Sequence, residues 1–226
     1  MATLYMIATP IGNLEDITLR AIRILGEVDA IACEDTRHTL KLLNHLGIKK
    51  QLVACYAYEE EKGSARILGL LEQGKNVAYC SDAGTPGLSD PGILATMRAR
   101  EAGHEVVPIP GPSAFAALIS ASGIFYKAVT FAGFPSPKPG RRRSRAAELM
   151  AREEAFIMYE SPHRIVKLLM DIADIDSERR ICVGREMTKL HEEFLCGPAS
   201  EVRDALAARP EVKGEIALLV SGFKKG

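Results

Sequence analysis

The stretch NVAYCSDAGTPGLSDPG (residues 76–92) joins two unlike halves. NVAYCS is a nearly continuous apolar run of strand length, the pattern of a strand buried on both faces in a parallel sheet. SDAGTPGLSDPG then places three glycines, two prolines and two aspartates in twelve residues. Gly84 and Gly87 allow positive φ and let a ligand approach the backbone with no Cβ in the way. Pro86 and Pro91 stiffen the path, Pro91 at a position where a helix can begin. Asp82 can accept hydrogen bonds from an amine or a ribose, or tie the turn to itself; Asp90 is expected as a helix N-cap. A buried strand running into such a loop marks the ligand edge of an open α/β sheet, beyond the carboxyl ends of its strands.

The same rhythm extends on both sides. LYMIAT (4–9), DAIACE (29–34), QLVACY (51–56) and EVVPIP (105–110) read as further buried strands, with helices predicted over 16–25, 36–46, 62–73 and 91–102. Asp16 is the expected N-cap of the first, and Gly47, Gly74 and Gly103 are the expected left-handed stops of the others. Past residue 111 the strands lengthen and one helix drops out between neighbours: FYKAVTFAGF, AFIMYES, RRICVGRE, LHEEFLCG and GEIALLVSG, with helices over about 162–173 and 198–208. Ser161 and Pro162 suit an N-cap and first helical position, and PSPKPGRRRSR reads as a loop. The expected fold is α/β and two-lobed: a mostly parallel sheet in residues 1–111 and a mixed sheet in residues 112–226, with the boundary near PGPS.

Composition narrows the function. The 226 residues are 47% apolar and 26% charged, enough for a sizeable core. With 29 basic and 29 acidic residues the net charge is zero, so polyanion binding requires a local patch. No window approaches the roughly 18 apolar residues of a membrane span, and MATLYMIATP lacks the layout of a secretory signal; a cytoplasmic protein with no membrane partner is expected. Cys33, Cys55, Cys80, Cys182 and Cys196 are odd in number and never spaced C-x-x-C, so they read as buried reduced thiols.

Motifs exclude several chemistries. The loop after the first strand, TPIGN, has a lone Gly12 where a dinucleotide site needs G-x-G-x-x-G. GLLEQGKN (69–76) nearly spells a P-loop but ends in Asn and precedes a strand, so it reads as a helix end. His38, His45, His104, His163 and His191 are scattered and no metal site is expected; Ser113 lies outside G-x-S-x-G. Four unusual loops remain on one edge of the first sheet: TPIGN, EDTRHT, SDAGTPGLSDPG and PGPSA. YESPHR (159–164), VGREMTK (183–189) and KGEIALLV (213–220) interrupt the second half, where Glu160 and Glu186 are either functional or plain surface carboxylates. GRRRSR (140–145) reads as a mobile positive patch suited to phosphate, or as a solvated charge run.

Taken in order, TPIGNLEDIT, ACEDTRHT, SDAGTPGLSDPG, PIPGPSA, FAGFPSPKPGRRR, YESPHR, GREMTKLHEE and KGEIALLV resemble the tetrapyrrole methylase superfamily over nearly the whole chain. Within it they resemble the branch that methylates a ribose 2′-oxygen, here of a cytidine, in small-subunit ribosomal RNA. The resemblance implies S-adenosylmethionine held between two lobes, usually in a homodimer, with ribosomal RNA or the assembled small subunit as partner. Matched by position, the cofactor residues are Ser81, Asp82, Ala83, Gly84, Thr85, Pro86, Ser113, Ala114, Tyr159, Gly184 and Gly214. Asn13 and the EDTRHT loop face the RNA, with Arg141, Arg142 and Arg143 on its phosphates. Catalytic candidates are Glu34, Asp35, Arg37, Glu160 and Glu186, with Lys189 as an electrostatic helper; Glu34 or Asp35 is favoured because EDTR follows a predicted strand at the ligand edge. Relatives commonly continue into a small helical region beyond the point where this sequence ends at SGFKKG. A tetrapyrrole carbon as acceptor, or RNA binding without catalysis, are the competing readings.

Overall fold

The computed structural model describes residues 1–223. The chain divides into two compact units, Met1–Ser113 and a second beginning at Ala114.

In the first unit the elements run β1 (Thr3–Ile7), α1 (Leu19–Glu27), β2 (Ala30–Cys33), α2 (Thr36–His45), β3 (Gln51–Ala54), α3 (Glu60–Glu72), β4 (Val77–Cys80), α4 (Ile93–Glu101) and β5 (Glu105–Ile109). All five strands are parallel, in the order β3-β2-β4-β1-β5. β2 and β4 are buried at every residue, the reason their sequences are apolar runs and not alternations. Ala21, Ile24 and Leu25 of α1 and Leu43 of α2 pack on one sheet face against Ile7, Ile31 and Ala78. Ile67 and Leu71 of α3 and Ala95 and Ala99 of α4 pack on the other against Leu4, Ala32 and Tyr79. β4 therefore sends its connection to the face opposite the one used by its neighbours β1 and β2. The loops beyond these three strands diverge, which opens a crevice at the carboxyl edge.

Gly47, Gly74 and Gly103 end their helices at φ of 68°, 78° and 78°, as the glycine pattern predicts. Two caps differ from expectation. α1 begins after Thr18, whose Oγ1 accepts from Ala21 N at 3.1 Å, while Asp16 lies in a short 3-10 turn. α4 begins after Gly92 at φ 119°, and Asp90 does not cap it. Glu60 of α3 supplies the acceptor instead, its Oε1 taking Gly92 N at 3.0 Å and Leu94 N at 3.4 Å. A cap supplied by another helix leaves no local sequence signal.

The second unit runs α5 (Ala114–Ala121), β6 (Val129–Phe131), α6 (Pro139–Met150), β7 (Ala155–Glu160), α7 (Ile165–Ile175), β8 (Arg180–Arg185), β9 (Glu193–Pro198), α8 (Ala199–Ala207) and β10 (Ile216–Val220). Its sheet is mixed, in the order β6-β7-β10-β8-β9: β6 is parallel to β7 and the remaining pairs are antiparallel. Period-2 burial divides β7 cleanly, Phe156 and Met158 packing with α6, α7 and α8, and Ala155 and Ile157 packing with Leu118 of α5.

Three readings of this half are corrected. GRRRSR is helical, not a loop: Pro139 occupies the first turn of α6, and Ala146, Leu149 and Met150 dock the helix. α7 starts at Ile165 after Arg164, with Ser161 contributing its carbonyl and not its hydroxyl. Cys182 and Cys196 stand opposite one another in the β8–β9 register and form a disulfide, so the reduced reading holds for Cys33, Cys55 and Cys80 alone. Their pairing depends on strand register, which sequence spacing does not reveal. Among the described residues no helix is long and apolar enough to cross a membrane.

Candidate active site

At the carboxyl edge of the first sheet, short hydrogen bonds fasten four loops to one another. Thr9 N donates to Gly84 O and Gly84 N donates to Thr9 O, each at 2.9 Å. Thr9 Oγ1 donates to Ser81 O at 3.0 Å, joining TPIGN to the SDAG loop a second time. Asp82 Oδ1 accepts from Asp35 N at 3.0 Å, bringing in the loop after β2. Thr85 Oγ1 donates to Pro112 O at 3.2 Å, bringing in the loop after β5. Gly84 sits at φ 83°, the conformation that lets its backbone face Thr9, and residues with side chains rarely adopt it. The loops enclose an open recess lined by Thr9, Pro10, His38, Leu42, Ser81 and Asp82. His38 and Leu42 lie one turn apart on α2, so they share a face. The sequence reading gives His38 no role beyond its place in EDTRHT; its i, i+4 spacing with Leu42 is the signal that points it to the recess.

The rim is acidic. Burial, and then the charges of Asp82 and Asp35, hold the Glu34 carboxyl above its ordinary value. Burial, and then the charge of Glu34, push Asp90 up to about 6. Asp35 goes the other way: hydrogen bonds from the Arg37 guanidinium and backbone draw it down to about 2. Asp35 is also the N-cap of α2, accepting from Arg37 N at 2.8 Å. Neighbouring residues thus divide the work: Asp35 is a fixed anion that holds the loop, while Glu34 has the higher proton affinity. The carboxylates of such an edge attract a cation. Asp82 offers the recess an acceptor, and Pro10 and Leu42 give it apolar walls.

Asn13 caps its own turn, its Oδ1 accepting from Glu15 N at 3.1 Å, so its side-chain acceptor is already engaged. Ser113 ends the first unit and Ala114 opens α5.

In the second unit, Glu186, Lys189 and Gly214 form one knot. Glu186 Oε1 accepts from Lys189 Nζ and from Glu215 N, both at 2.9 Å. The Lys189 bond comes first among the causes that lower the Glu186 carboxyl. Burial works against the Lys189 charge, yet Glu186 and Glu215 together raise its affinity for the proton. Glu186 itself adopts φ 51°, and a Cβ on Gly214 (φ 93°) would collide with Glu186 Cγ. Gly184 has a comparable reason: its Cβ would stand 2.6 Å from Met187 Sδ. Packing within this unit thus accounts for both glycines. Glu160 is buried at the end of β7, its Oε1 accepting from Ser161 N at 2.7 Å and Arg164 Nε at 2.8 Å. Tyr159 joins an aromatic cluster with Phe131 and Phe134.

The arginines of α6 separate by helical phase. Arg142 points inward, 5% exposed, with Nε 2.6 Å from Asp171 Oδ2. It is removed from the expected phosphate contacts, because a helix turns one of three consecutive residues to the core. Arg141 is exposed, and Arg143 is exposed with Asp174 at 3.3 Å.

A doubly wound parallel sheet with acidic, glycine-bearing loops at its switch point, followed by a mixed α/β unit, is the architecture of a methylase class. The chain belongs to the family of tetrapyrrole (corrin/porphyrin) methylases, whose pattern matches residues 3–203. It is 45% identical over 219 residues to the ribosomal RNA small subunit methyltransferase I of Borrelia garinii, covering 96% of this chain and 98% of that one. It is 41% identical to the protein of the same name from Pseudomonas aeruginosa, covering 98% and 79%. Among solved structures, a cobalt precorrin-4 methyltransferase aligns with a TM-score of 0.68 at 15% identity, over 97% of this chain and 94% of that one. A uroporphyrin-III C-methyltransferase from Thermus thermophilus aligns at 0.66 and 19%, over 97% and 92%. At those identities the likeness is one of fold.

Proposed function

We propose that this protein transfers a methyl group from S-adenosylmethionine to the ribose 2′-oxygen of a cytidine in small-subunit ribosomal RNA. One observation carries the reading: the loops after β1, β2 and β4 are hydrogen-bonded to one another around a recess that Asp82 lines, with Glu34 and Asp35 in the adjoining loop. The names of the full-length relatives supply the substrate class. The cofactor supplies an electrophilic methyl group on a cationic sulfur. Asp82, Gly84 and the neighbouring backbone of residues 81–86 would hold it, with Ser113 of the same unit a further proposed contributor.

The chain's own part is to orient and to take a proton. Positioning an acceptor against a reacting group supplies on the order of 7 to 11 kcal/mol. Glu34, with its raised proton affinity, takes the 2′-hydroxyl proton, a contribution of roughly 100-fold or more. Asp35 and Arg37 keep the loop in place. Arg141 and Arg143 offer phosphate contacts from α6, while Glu186 and Lys189 shape a turn at the end of β8. The proposed setting is the cytoplasm and the proposed assembly a homodimer, which sedimentation at micromolar concentration would test.

The decisive experiment incubates the purified protein and methyl-labelled cofactor with small ribosomal subunits, with free ribosomal RNA and with a tetrapyrrole precursor. Label in a nuclease-resistant 2′-O-methylcytidine dinucleotide is the expected result. Label in the tetrapyrrole alone would transfer the site to carbon methylation, and no label with tight cofactor binding would remove RNA as the substrate.

A further inference from the structure

Beside the recess, just past the edge strand β3, the chain displays two stacked tyrosine rings that none of the foregoing chemistry uses. Tyr56 and Tyr58 lie with centroids 5.3 Å apart and planes 9° from parallel. Tyr58 is 81% exposed and Tyr56 37%. Exposed rings ordinarily separate in water, and this pair is held from below. Cys55 N donates to Cys33 O at 2.8 Å, extending the β2–β3 pairing by one residue, which sets Cys55 alongside Glu34 and carries Tyr56 on toward Asp35. Arg66 Nη1 donates to Ala54 O at 3.0 Å, and Gly63 of α3 meets Cys55 so closely that a Cβ there would stand 3.0 Å from its Cα. Glu59 N closes a turn on Tyr56 O at 2.9 Å. The acidic residues that follow are occupied: Glu59 by Lys62 at 2.9 Å, Glu60 by the start of α4 and Glu61 by Arg98. Arg37, its side chain 89% exposed, is ion-paired at 3.1 Å with Asp35, the residue that the extended register brings beside Tyr56.

We propose that Tyr58, stacked on Tyr56 and flanked by Arg37, is a platform for one unpaired base of the RNA, next to the nucleotide whose ribose is methylated. This rests on the RNA reading above. A pre-stacked ring pair ending in a free π-face is the surface on which a single-stranded base stacks, and a guanidinium beside it serves the adjoining phosphate. Its place just beyond β3, at the same sheet edge as Glu34, makes the base a neighbour of the reacting ribose. A base needs no hydrogen-bond partner here, so the platform positions the strand without selecting its sequence.

Tyr58→Ala, Tyr58→Phe and Tyr58→Trp in the full chain test this, with assembled small subunits and a single-stranded ribooligonucleotide spanning the modified position as probes. Tyr58→Ala is expected to weaken oligonucleotide binding and raise KM by about tenfold, with kcat and cofactor affinity unchanged. Phe and Trp, which keep the stack, are expected to match the parent. The chain has no tryptophan and six tyrosines, so quenching of tyrosine emission by the oligonucleotide, abolished in Tyr58→Ala, reports the stacking directly. Parental affinity and quenching in Tyr58→Ala would overturn the platform while leaving the methyltransferase reading intact. A matching loss of cofactor affinity would assign the rings to the cofactor's adenine and also overturn it. A loss with assembled subunits but not with the oligonucleotide would assign them to a protein contact, with the same consequence. A parent protein that methylates no RNA overturns the function itself, and the platform with it.

Discussion

Glu34 and Asp35 are adjacent carboxylates whose surroundings drive their proton affinities apart. Arg37 holds Asp35 down at about 2, while burial and two neighbouring anions hold Glu34 up. A residue that must accept a proton in turnover benefits from the higher affinity, so Glu34→Gln is expected to lower kcat by roughly 100-fold or more with cofactor affinity retained. A base works when deprotonated, so the parental rate should rise with pH through the raised Glu34 value, and the variant should lose that limb. Asp90 offers a stability test. Its folded value of about 6 lies above the ordinary 3.8, so the native state binds the proton more tightly and stability falls as pH rises from about 4 through 6. Asp90→Asn should abolish that slope and, allowing for solvent screening of a half-buried group, add about 1 kcal/mol at pH 7.5 in urea denaturation. Sequence placed Glu34, Asp35 and Asp82 at the ligand edge. The split between them depends on which neighbour each one meets, and that is a matter of folded geometry.

At the scale of elements, strands were easier to read than caps. β2 and β4 are buried on both faces, which forces an apolar run. In the loop behind β4, Gly84, Gly87 and Gly92 take three of the positive-φ positions and Ser89 the fourth. α6 escaped because its first turn is proline, glycine and arginine, while the apolar residues that dock it come a turn later. Its buried pair gives a prediction. Arg142→Ala leaves Asp171 buried without its partner and should cost about 3 to 5 kcal/mol, whereas Arg142→Met with Asp171→Leu should recover most of that in chemical denaturation. Gly214→Ala should destabilise as well, by at least about 1 kcal/mol, because both its φ of 93° and the closeness of Glu186 oppose a side chain. The Cys182–Cys196 pairing and the Glu60 cap of α4 share a reason for being missed: each joins residues that only folding makes adjacent.

For the molecule as a whole, net charge is zero, so affinity for RNA must come from placed arginines and not from a global field. Arg141→Ala with Arg143→Ala should weaken RNA binding and reduce the slope of log affinity against log salt by about 1 for each phosphate no longer neutralised. Arg142 contributes stability and should leave that slope unchanged wherever a variant folds. Cofactor binding to the native state should stabilise the protein by mass action, about 2.7 kcal/mol at a hundredfold excess over Kd, read as a shift in Tm. A Tm indifferent to cofactor would remove the proposed site.

The succession of buried strands along the chain, the glycine stops, the parallel first sheet and the mixed second sheet were determined by sequence alone, because burial on both faces and positive φ constrain residue type locally; the family was legible in the ordered loop motifs. Tertiary structure decided which arginine of three is buried, which acid caps α4, which cysteines join and how Glu34 and Asp35 differ. Those outcomes depend on distances between residues far apart in the chain, and neither composition nor spacing encodes such distances.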